Sequence, residues 1–337
     1  MTGMERNPES VFREITECEL LAENYRKVRL AQKMRDERKS GPKIFVKSNL
    51  ERTQRVLKRL YHRAFFEKEA EGSSGLCLDR KRAAERKALY VRRERIAVYT
   101  ALYGMYDIVR EPLLSPENVD YYLLTDQPFS ENSLWKECGQ SGILPREILG
   151  DPVLCNRWYK MHPHLLFPEY TYSIYVDSSF WIISDLTPAA AGLDKYPVAM
   201  FQHKNRNCVY DEVQACIEQG KADPVSLREH EKVIRSHHIP RHWGMVEAGF
   251  IARKHNDPCC MSLMDSWWEA FLKNSRRDQI SLIDVMWQAG IRPEQVGTLG
   301  FDLNRCRLIL PMDHRRSNGA KEPMTLEELR SASGHGC

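Results

Sequence analysis

Apolar and β-branched runs in the middle of the chain predict five strands, at 95–100, 121–126, 172–180, 198–203 and within 242–253. Apolar residues recur at helical spacing between and after these runs and predict helices at about 210–219, 224–236 and 258–274. A further helix is predicted to open at 275–282 and to continue through Trp287. Strands interspersed with helices are typical of an α/β fold with a largely parallel sheet.

The first 94 residues have a different pattern. Charged, helix-favouring stretches at about 8–39, 49–71 and 79–93 are separated by Ser40-Gly41-Pro42 and by the Gly- and Ser-rich stretch 72–75. The pattern therefore predicts a basic helical extension over 1–94, an α/β domain over 95–316 and a tail over 317–337. A loop of about thirty residues is expected between the second strand and Arg157.

Charge separates the extension from the domain. Residues 1–95 contain 25 Lys and Arg residues against 15 Asp and Glu, a net charge of +10, whereas the remainder contains 25 against 31, a net charge of −6. Such asymmetry indicates an anionic partner for the extension, such as a membrane surface, a phosphorylated glycan or nucleic acid. The alternative is an ordinary solvated helical surface, because acidic residues are interspersed throughout.

Composition places the protein among globular chains. With 337 residues, 42% of them hydrophobic, the chain can bury a large core. Its ten cysteines form no CxxC pair, which favours reduced thiols. No window approaches the roughly 20 apolar residues of a membrane span, and the N-terminus lacks a signal-peptide core. We therefore expect a soluble, cytoplasmic protein with at most peripheral membrane contact.

Two of the predicted strands end on a carboxylate. The run 172–180 reaches Asp177, Ser178 and Ser179, and the run 121–126 ends on Asp126. In α/β sheets the ligand crevice lies at the carboxyl ends of the strands, so such acids can hold a metal or a nucleotide. The alternative is a turn or helix cap. Neither GxGxxG nor GxxxxGK[ST] is present, which leaves a dinucleotide fingerprint and a P-loop unsupported.

Several short motifs, in order, resemble those of a known family. The strings YTALYGMYD at 99–107, IYVDSSF at 174–180, GMVEAGFI at 244–251 and SRRDQIS at 275–281 are similar to cores of a hexosyltransferase-like family, long catalogued as a domain of unknown function, with plant relatives. The resemblance covers about 95–316 and implies a GT-A, Rossmann-like glycosyltransferase core. A more distant similarity is to glycosyltransferase family eight.

The resemblance implies a donor site for a nucleotide sugar, with UDP-sugars favoured. Thr100, Ala101 and Tyr103 match positions that hold the nucleotide, and Asp126 matches a position that contacts base or ribose. Lys160 matches a basic residue beside the diphosphate. The remaining expected donor contacts are Asp177, Ser178, Ser179 and Gly249.

The resemblance also implies a divalent metal, Mn²⁺ or Mg²⁺. Asp177 and Ser179 occupy the place of the Asp-x-Asp motif of family eight, and His314 lies roughly where related enzymes supply a histidine. A diphosphate leaving group is stabilised by a hard cation on oxygen ligands. Ser179 departs from the motif because a hydroxyl is a weaker ligand than a carboxylate.

Catalytic positions are expected at Glu247, Asp278 and Gln279. Glu247 lies in the loop that faces a sugar in the family, and Asp278-Gln279 resembles a pair near the reacting carbon. Their alternatives are a salt-bridged acid and a helix N-cap. His203 and Arg206 are candidates for acceptor or phosphate binding, although a buried structural histidine would fit the same pattern.

The sequence thus predicts a metal-dependent glycosyltransferase of polysaccharide biosynthesis. Its expected partners are a nucleotide sugar and a glycan or lipid-linked acceptor, with an anionic membrane surface rather than nucleic acid as the peripheral partner. Retention or inversion stays open. The alternative is a non-catalytic nucleotide- or glycan-binding module that docks through its basic helices.

Overall fold

The computed structural model describes residues 94–104, 107–128, 133–138, 143–190, 193 and 196–312. The predicted N-terminal helices, the C-terminal tail and His314 lie outside these residues. Within them, no helix combines the length and apolar character needed to cross a membrane.

A central sheet organises the described residues. Its strands are β1 (Ile96–Leu102), β2 (Val119–Thr125), β3 (Trp135–Glu137), β4 (Tyr172–Val176), β6 (Val198–Gln202) and β7 (Val246–Arg253), whereas β5 (Phe180–Ile182) pairs with β8 (Ile309–Pro311) in a separate ribbon. The six strands lie in the order β3-β2-β1-β4-β7-β6. Within this sheet β7 runs antiparallel to both of its neighbours, and the other three pairings are parallel.

Seven α-helices accompany the sheet in the described part of the chain. They are α1 (Pro152–Met161), α2 (Pro163–Leu166), α3 (Val209–Glu218), α4 (Pro224–Ser236), α5 (Pro258–Lys273), α6 (Asp278–Gln288) and α7 (Pro293–Val296). Together with the mostly parallel sheet, they form an α/β fold compatible with a GT-A, Rossmann-like core. The fold class expected from the sequence is therefore confirmed.

The strand order places a crevice between β1 and β4. From β1 the chain adds β2 and β3 on one side and then crosses to place β4 on the other side. Such a reversal is a topological switch point, where connections leave the two strands in opposite directions and open a crevice at their carboxyl ends. The segments that follow β1 and β4, at 103–104 and 177–179, lie at this crevice.

The expected thirty-residue loop before Arg157 is wrong. The segment contains β3, a 3-10 turn at Arg146–Ile148 and the first half of α1. Local start signals for α1 are present, since Asp151 accepts hydrogen bonds from the N–H groups of Val153 and Leu154, and Pro152 occupies the first helical position.

The carboxyl end of α1 is tied to the sheet by a buried arginine. Arg253 of β7 is fully buried and donates to the Lys160 carbonyl at 2.8 Å, and it also contacts the Tyr99 hydroxyl. That hydroxyl donates to the same carbonyl at 3.2 Å. The carbonyls at a helix C-terminus carry partial negative charge, which favours a cation there. Arg253 and Tyr99 therefore fix the turn of α1 that carries Lys160.

Candidate functional site

Asp177 directly follows β4 at the crevice. Its backbone N–H donates to the Gly249 carbonyl at 2.9 Å, which continues the pairing of β4 with β7. The side chain is 30% exposed, and Oδ1 lies 3.5 Å from Lys160 Nζ. The acid is thus held by the sheet and still reaches solvent, as a ligand-binding carboxylate must.

Lys160 links Asp177 to a second acid. Its side chain is 1% exposed, and Nζ lies 2.8 Å from Asp278 Oδ2. The ammonium also lies 5.1 Å from the ring centroid of Tyr175 and 5.8 Å from that of Trp267. A buried ammonium is costly unless it is paired, and here two carboxylates and two aromatic faces surround it.

Asp278 begins α6 and is ionised in the fold. Burial alone would raise the pKa of its carboxyl, but the charges of Arg157, Lys160 and Arg277 outweigh burial and hold the pKa well below its ordinary value. Arg157 Nε lies 2.9 Å from Asp278 Oδ2, and the arginine side chain is 24% exposed. Because residues 157 and 160 are three apart on α1, both cations face the same acid.

Gly249 lies closely against the Asp177 carboxylate. A Cβ at this position would lie 3.2 Å from Asp177 Oδ2, 3.1 Å from a ring carbon of Phe180 and 3.2 Å from a methyl of Leu303. These distances are below ordinary van der Waals contact. A side chain at position 249 would therefore require these three neighbours to move by a few tenths of an ångström.

Glu247 lies on β7, and the pKa of its carboxyl is raised above the ordinary glutamate value. Burial raises its pKa, and the positive charge of Lys204 opposes that effect. The Lys204 backbone N–H donates to Glu247 Oε1 at 3.3 Å, and Lys204 Nζ lies 3.8 Å from Asp302 Oδ1. Glu247 and Asp278 thus have opposite pKa shifts, as expected where two carboxyls have different tasks.

Gln279 bonds to the backbone of β7. Its Oε1 accepts from the Ala248 N–H at 3.1 Å, and its Nε2 donates to the Val246 carbonyl. These bonds bracket Glu247 and join the start of α6 to the strand. Gln279 therefore holds the β7 backbone on either side of Glu247.

Of the residues expected around the nucleotide, two lie beside the crevice and two are buried within β1. Asp126 accepts from the Gly104 N–H at 3.0 Å, and the Tyr103 ring stacks on Tyr159 with centroids 5.8 Å apart. Thr100, in contrast, is 2% exposed and lies in β1 before its end. Ala101, also buried, lies in β1 and follows Thr100. Tyr103 and Asp126 thus lie beside the crevice, and Thr100 and Ala101 lie within the strand.

Ser178 and Ser179 contact two other segments. Ser178 Oγ donates to Asp107 Oδ2 at 3.1 Å, which joins the loop after β1 to the loop after β4. The Ser179 carbonyl accepts from the Met312 N–H at 2.7 Å. The described chain ends at Met312, so the expected role of His314 stays a prediction, although the chain leading to it reaches the crevice.

His203 is a neutral, bonded residue. Its Nδ1 accepts from the Arg206 N–H at 3.0 Å, and burial together with the charges of Arg206 and Lys204 lowers its pKa to about 3. Arg206 Nε contacts Glu212 Oε2. His203 is therefore engaged within its own loop, and Arg206 pairs with an acid of α3.

The structure brings together Lys160, Asp177, Gly249 and Asp278, and places Glu247 and Gln279 on the adjoining elements. No role in the site was predicted from the sequence for Arg157, Arg277, Asp107, Lys204 or Asp302. Arg157 had a local signal, because its spacing from Lys160 puts both on one helical face once α1 is recognised. Arg277 directly precedes Asp278 in the chain, whereas Asp107, Lys204 and Asp302 are brought in by contacts between distant segments.

The donor set at Asp177 fits a hard divalent cation. Mg²⁺ is usually bound by one or two carboxylates together with waters and substrate phosphates. Asp177 supplies a partly exposed carboxylate, and Ser179, two residues further along the chain, carries a hydroxyl. Lys160 Nζ lies closer to Asp278, at 2.8 Å, than to Asp177, at 3.5 Å. The Asp177 carboxylate therefore keeps the capacity to bind another cation.

Comparison with known proteins identifies the family. A search of curated proteins found no match. A family model described as the TOD1/MUCI70, glycosyltransferase-like domain matches residues 62–307. The match spans β1 to β7 and includes Asp177, Glu247 and Asp278; it begins inside the segment predicted as a separate extension. Since the match covers well over half of the chain, the protein belongs to the TOD1/MUCI70 glycosyltransferase-like domain family.

Proposed function

We propose that the protein transfers a sugar from a nucleotide-sugar donor, with UDP-sugars favoured, to a hydroxyl of a glycan or lipid-linked acceptor. Membership of a glycosyltransferase-like family supports glycosyl transfer as the type of reaction. The observation that carries the finer proposal is the group of opposite charges at the crevice between β1 and β4. There Lys160 Nζ lies 2.8 Å from Asp278 and 3.5 Å from Asp177.

The donor diphosphate would lie against Asp177 and α1. A divalent cation on Asp177 and Ser179, with His314 as a further candidate ligand, would neutralise charge on the leaving diphosphate. Arg157 is the better of the two α1 cations for direct phosphate contact, because it is 24% exposed while Lys160 is 1% exposed. Lys160 instead holds the two acids at a fixed separation.

The two acids near the sugar would have different tasks. A general base works best when its pKa lies near the operating pH. Asp278 has a lowered pKa, so it is a weak base but a permanent negative charge, suited to stabilising positive charge that develops on the sugar ring. Glu247 has a raised pKa and is the stronger candidate for accepting the proton of an acceptor hydroxyl. An inverting reaction would use that step.

Calorimetric titration of UDP tests the donor site. We expect binding to the wild-type protein to depend on Mn²⁺, and the Mn²⁺-dependent part to be lost in Asp177→Ala. Glu269→Gln is a matched control, because this acid is 68% exposed on α5 and pairs only with Lys273 in the described structure. Its UDP binding should equal that of the wild type.

Turnover is measured separately as hydrolysis of a panel of nucleotide sugars. We expect Asp278→Asn to lose hydrolysis while retaining UDP affinity, provided that its fold is confirmed by circular dichroism. UDP binding that is independent of Mn²⁺ and unchanged in Asp177→Ala would contradict the metal site. Binding without hydrolysis of any donor would support the non-catalytic binding module instead.

A further inference from the structure

A second group of ligand-type side chains lies outside the crevice. A sulfur of Cys208, a carboxylate oxygen of Asp211 and a ring nitrogen of His242 all lie within 4.8 Å of one another. Cys208 is buried, Asp211 is half-buried and His242 is exposed. In the reaction proposed above, none of these three side chains has a task.

We propose that Cys208, Asp211 and His242 form a zinc site that joins the start of α3 to the turn before β7. Thiolate, imidazole and carboxylate are the three ligand types of protein-bound Zn²⁺. Zn–S and Zn–N bonds of about 2.3 and 2.0 Å in a tetrahedron place such ligand atoms about 3.5 Å apart, within reach of small side-chain adjustments here. The exposed side, at His242, leaves the fourth position to water.

The surroundings of His242 match those of a metal-bound histidine. Its Nδ1 lies 2.8 Å from Asn207 Oδ1, so the ring donates its Nδ1 proton to the amide and keeps the Nε2 lone pair. Such a partner for the second ring nitrogen is the usual companion of a zinc-ligating histidine. Asn207 directly precedes Cys208, so the same segment supplies a ligand and the partner of a ligand.

The side chains of Cys208 and Asp211 make few contacts that would compete with a metal. Cys208 is the N-cap residue of α3, yet its side chain makes no capping hydrogen bond. Arg241 contacts Asp211 Oδ1 at 3.3 Å, and the two side chains are 59% and 44% exposed. An exposed ion pair of this kind contributes little, so the Asp211 carboxylate can turn to a cation.

The thiolate separates this site from the one at Asp177. Soft sulfur ligands select Zn²⁺ over Mg²⁺, Ca²⁺ and Mn²⁺, which prefer oxygen.

The loop before α3 and the turn before β7 are already joined by two backbone hydrogen bonds. They run from the Gly244 N–H to the Asn207 carbonyl and from the His203 N–H to the Met245 carbonyl, each of 2.9 Å. A bound Zn²⁺ would brace the loop that carries His203, Lys204 and Arg206 against β7.

Titration of the full-length, chelator-treated protein with Co²⁺ tests the proposal. Co²⁺ replaces Zn²⁺ in such sites and gives a thiolate-to-metal charge-transfer band. We expect one equivalent to produce this band, Zn²⁺ to abolish it, and Cys208→Ser to lack it. Cys216→Ser is the matched control, since Cys216 is also a buried cysteine of α3. Asp177→Ala should keep the band.

His242 provides a variant that spares the fold. Its φ is +61°, and asparagine tolerates that backbone region, so we expect His242→Asn to fold normally and to lose the band. His238→Asn is the control, because His238 is also exposed and has a φ of +58°. Asn207→Ala should weaken Co²⁺ affinity by about 10- to 100-fold. A band that persists in folded Cys208→Ser or His242→Asn, or Co²⁺ binding without any band, would overturn the proposal.

Discussion

At the scale of single residues, the crevice depends on a buried ion-pair group. Asp278 Oδ2 lies 2.8 Å from Lys160 Nζ and 2.9 Å from Arg157 Nε. The lysine is only 1% exposed, so water cannot readily take the place of the acid. Removing one partner of such a group leaves a charge buried without compensation, which is more damaging than losing the attraction itself.

The substitution Asp278→Asn should therefore destabilise the protein by about 3–5 kcal/mol. Urea unfolding at neutral pH measures this change. Asp265→Asn is the control, because its side chain is 55% exposed and an exposed substitution usually changes stability by less than about 0.5 kcal/mol. Equal unfolding midpoints for the two variants would contradict a buried charge pair at Asp278.

The same carboxyl predicts an acid dependence. Its pKa is lower in the folded than in the unfolded protein, so its stabilisation is complete above the unfolded value of about 3.9 and is lost as the pH falls below it. Wild-type stability should decline more steeply than that of Asp278→Asn below about pH 4. Parallel declines in urea midpoints would show that this carboxyl does not titrate as inferred.

Glu247 predicts an effect on the rate. Because burial raises its pKa, a role as general base requires deprotonation at a higher pH than for an ordinary glutamate. The acidic limb of kcat/KM should therefore lie above the ordinary glutamate pKa, and Glu247→Gln should lose roughly 10²- to 10⁴-fold in rate together with that limb. A profile that keeps its acidic limb in Glu247→Gln would exclude this residue as the base.

At the scale of elements, the site depends on how closely β4, β7 and α1 approach. Long apolar runs identified β4 and β7 well, because their side chains are buried along most of their length. The start of α1 was missed, although Asp151 and Pro152 are standard start signals. The sequence could have supplied α1, and with it the common face of Arg157 and Lys160.

The close approach of β7 to Asp177 predicts the effect of Gly249→Ala. The added methyl would meet Phe180, Leu303 and the Asp177 carboxylate at 3.1–3.2 Å, so we expect a stability loss of about 1–3 kcal/mol and a displaced carboxylate. Mn²⁺-dependent UDP affinity should fall at least about tenfold, equivalent to 1.4 kcal/mol. Gly150→Ala is the control, because a Cβ there meets no atom within 4 Å.

At the scale of the whole molecule, the family match and the charge boundary do not coincide. The match begins at residue 62, whereas the basic character continues to residue 95. Deleting residues 1–61 should leave UDP binding intact, since it spares the whole matched region. If the N-terminal segment docks on an anionic surface, the deletion should also reduce sedimentation with phosphatidylserine vesicles, more at low than at high salt. Unchanged vesicle binding would remove the proposed anionic partner.

The sequence by itself determined the α/β class, the order of most strands and helices, the strand-end acid Asp177, and the family. These follow from local periodicity and from motifs, which are properties of neighbouring residues. It did not determine that Lys160 pairs with Asp278, 118 positions away, or that β7 presses Gly249 against Asp177. Nor did it determine that Cys208 and His242 lie close together. Such contacts are set by how distant elements pack, so only the tertiary structure decided which acids share a cation, which of them has a lowered or a raised pKa, and which side chains meet Cys208.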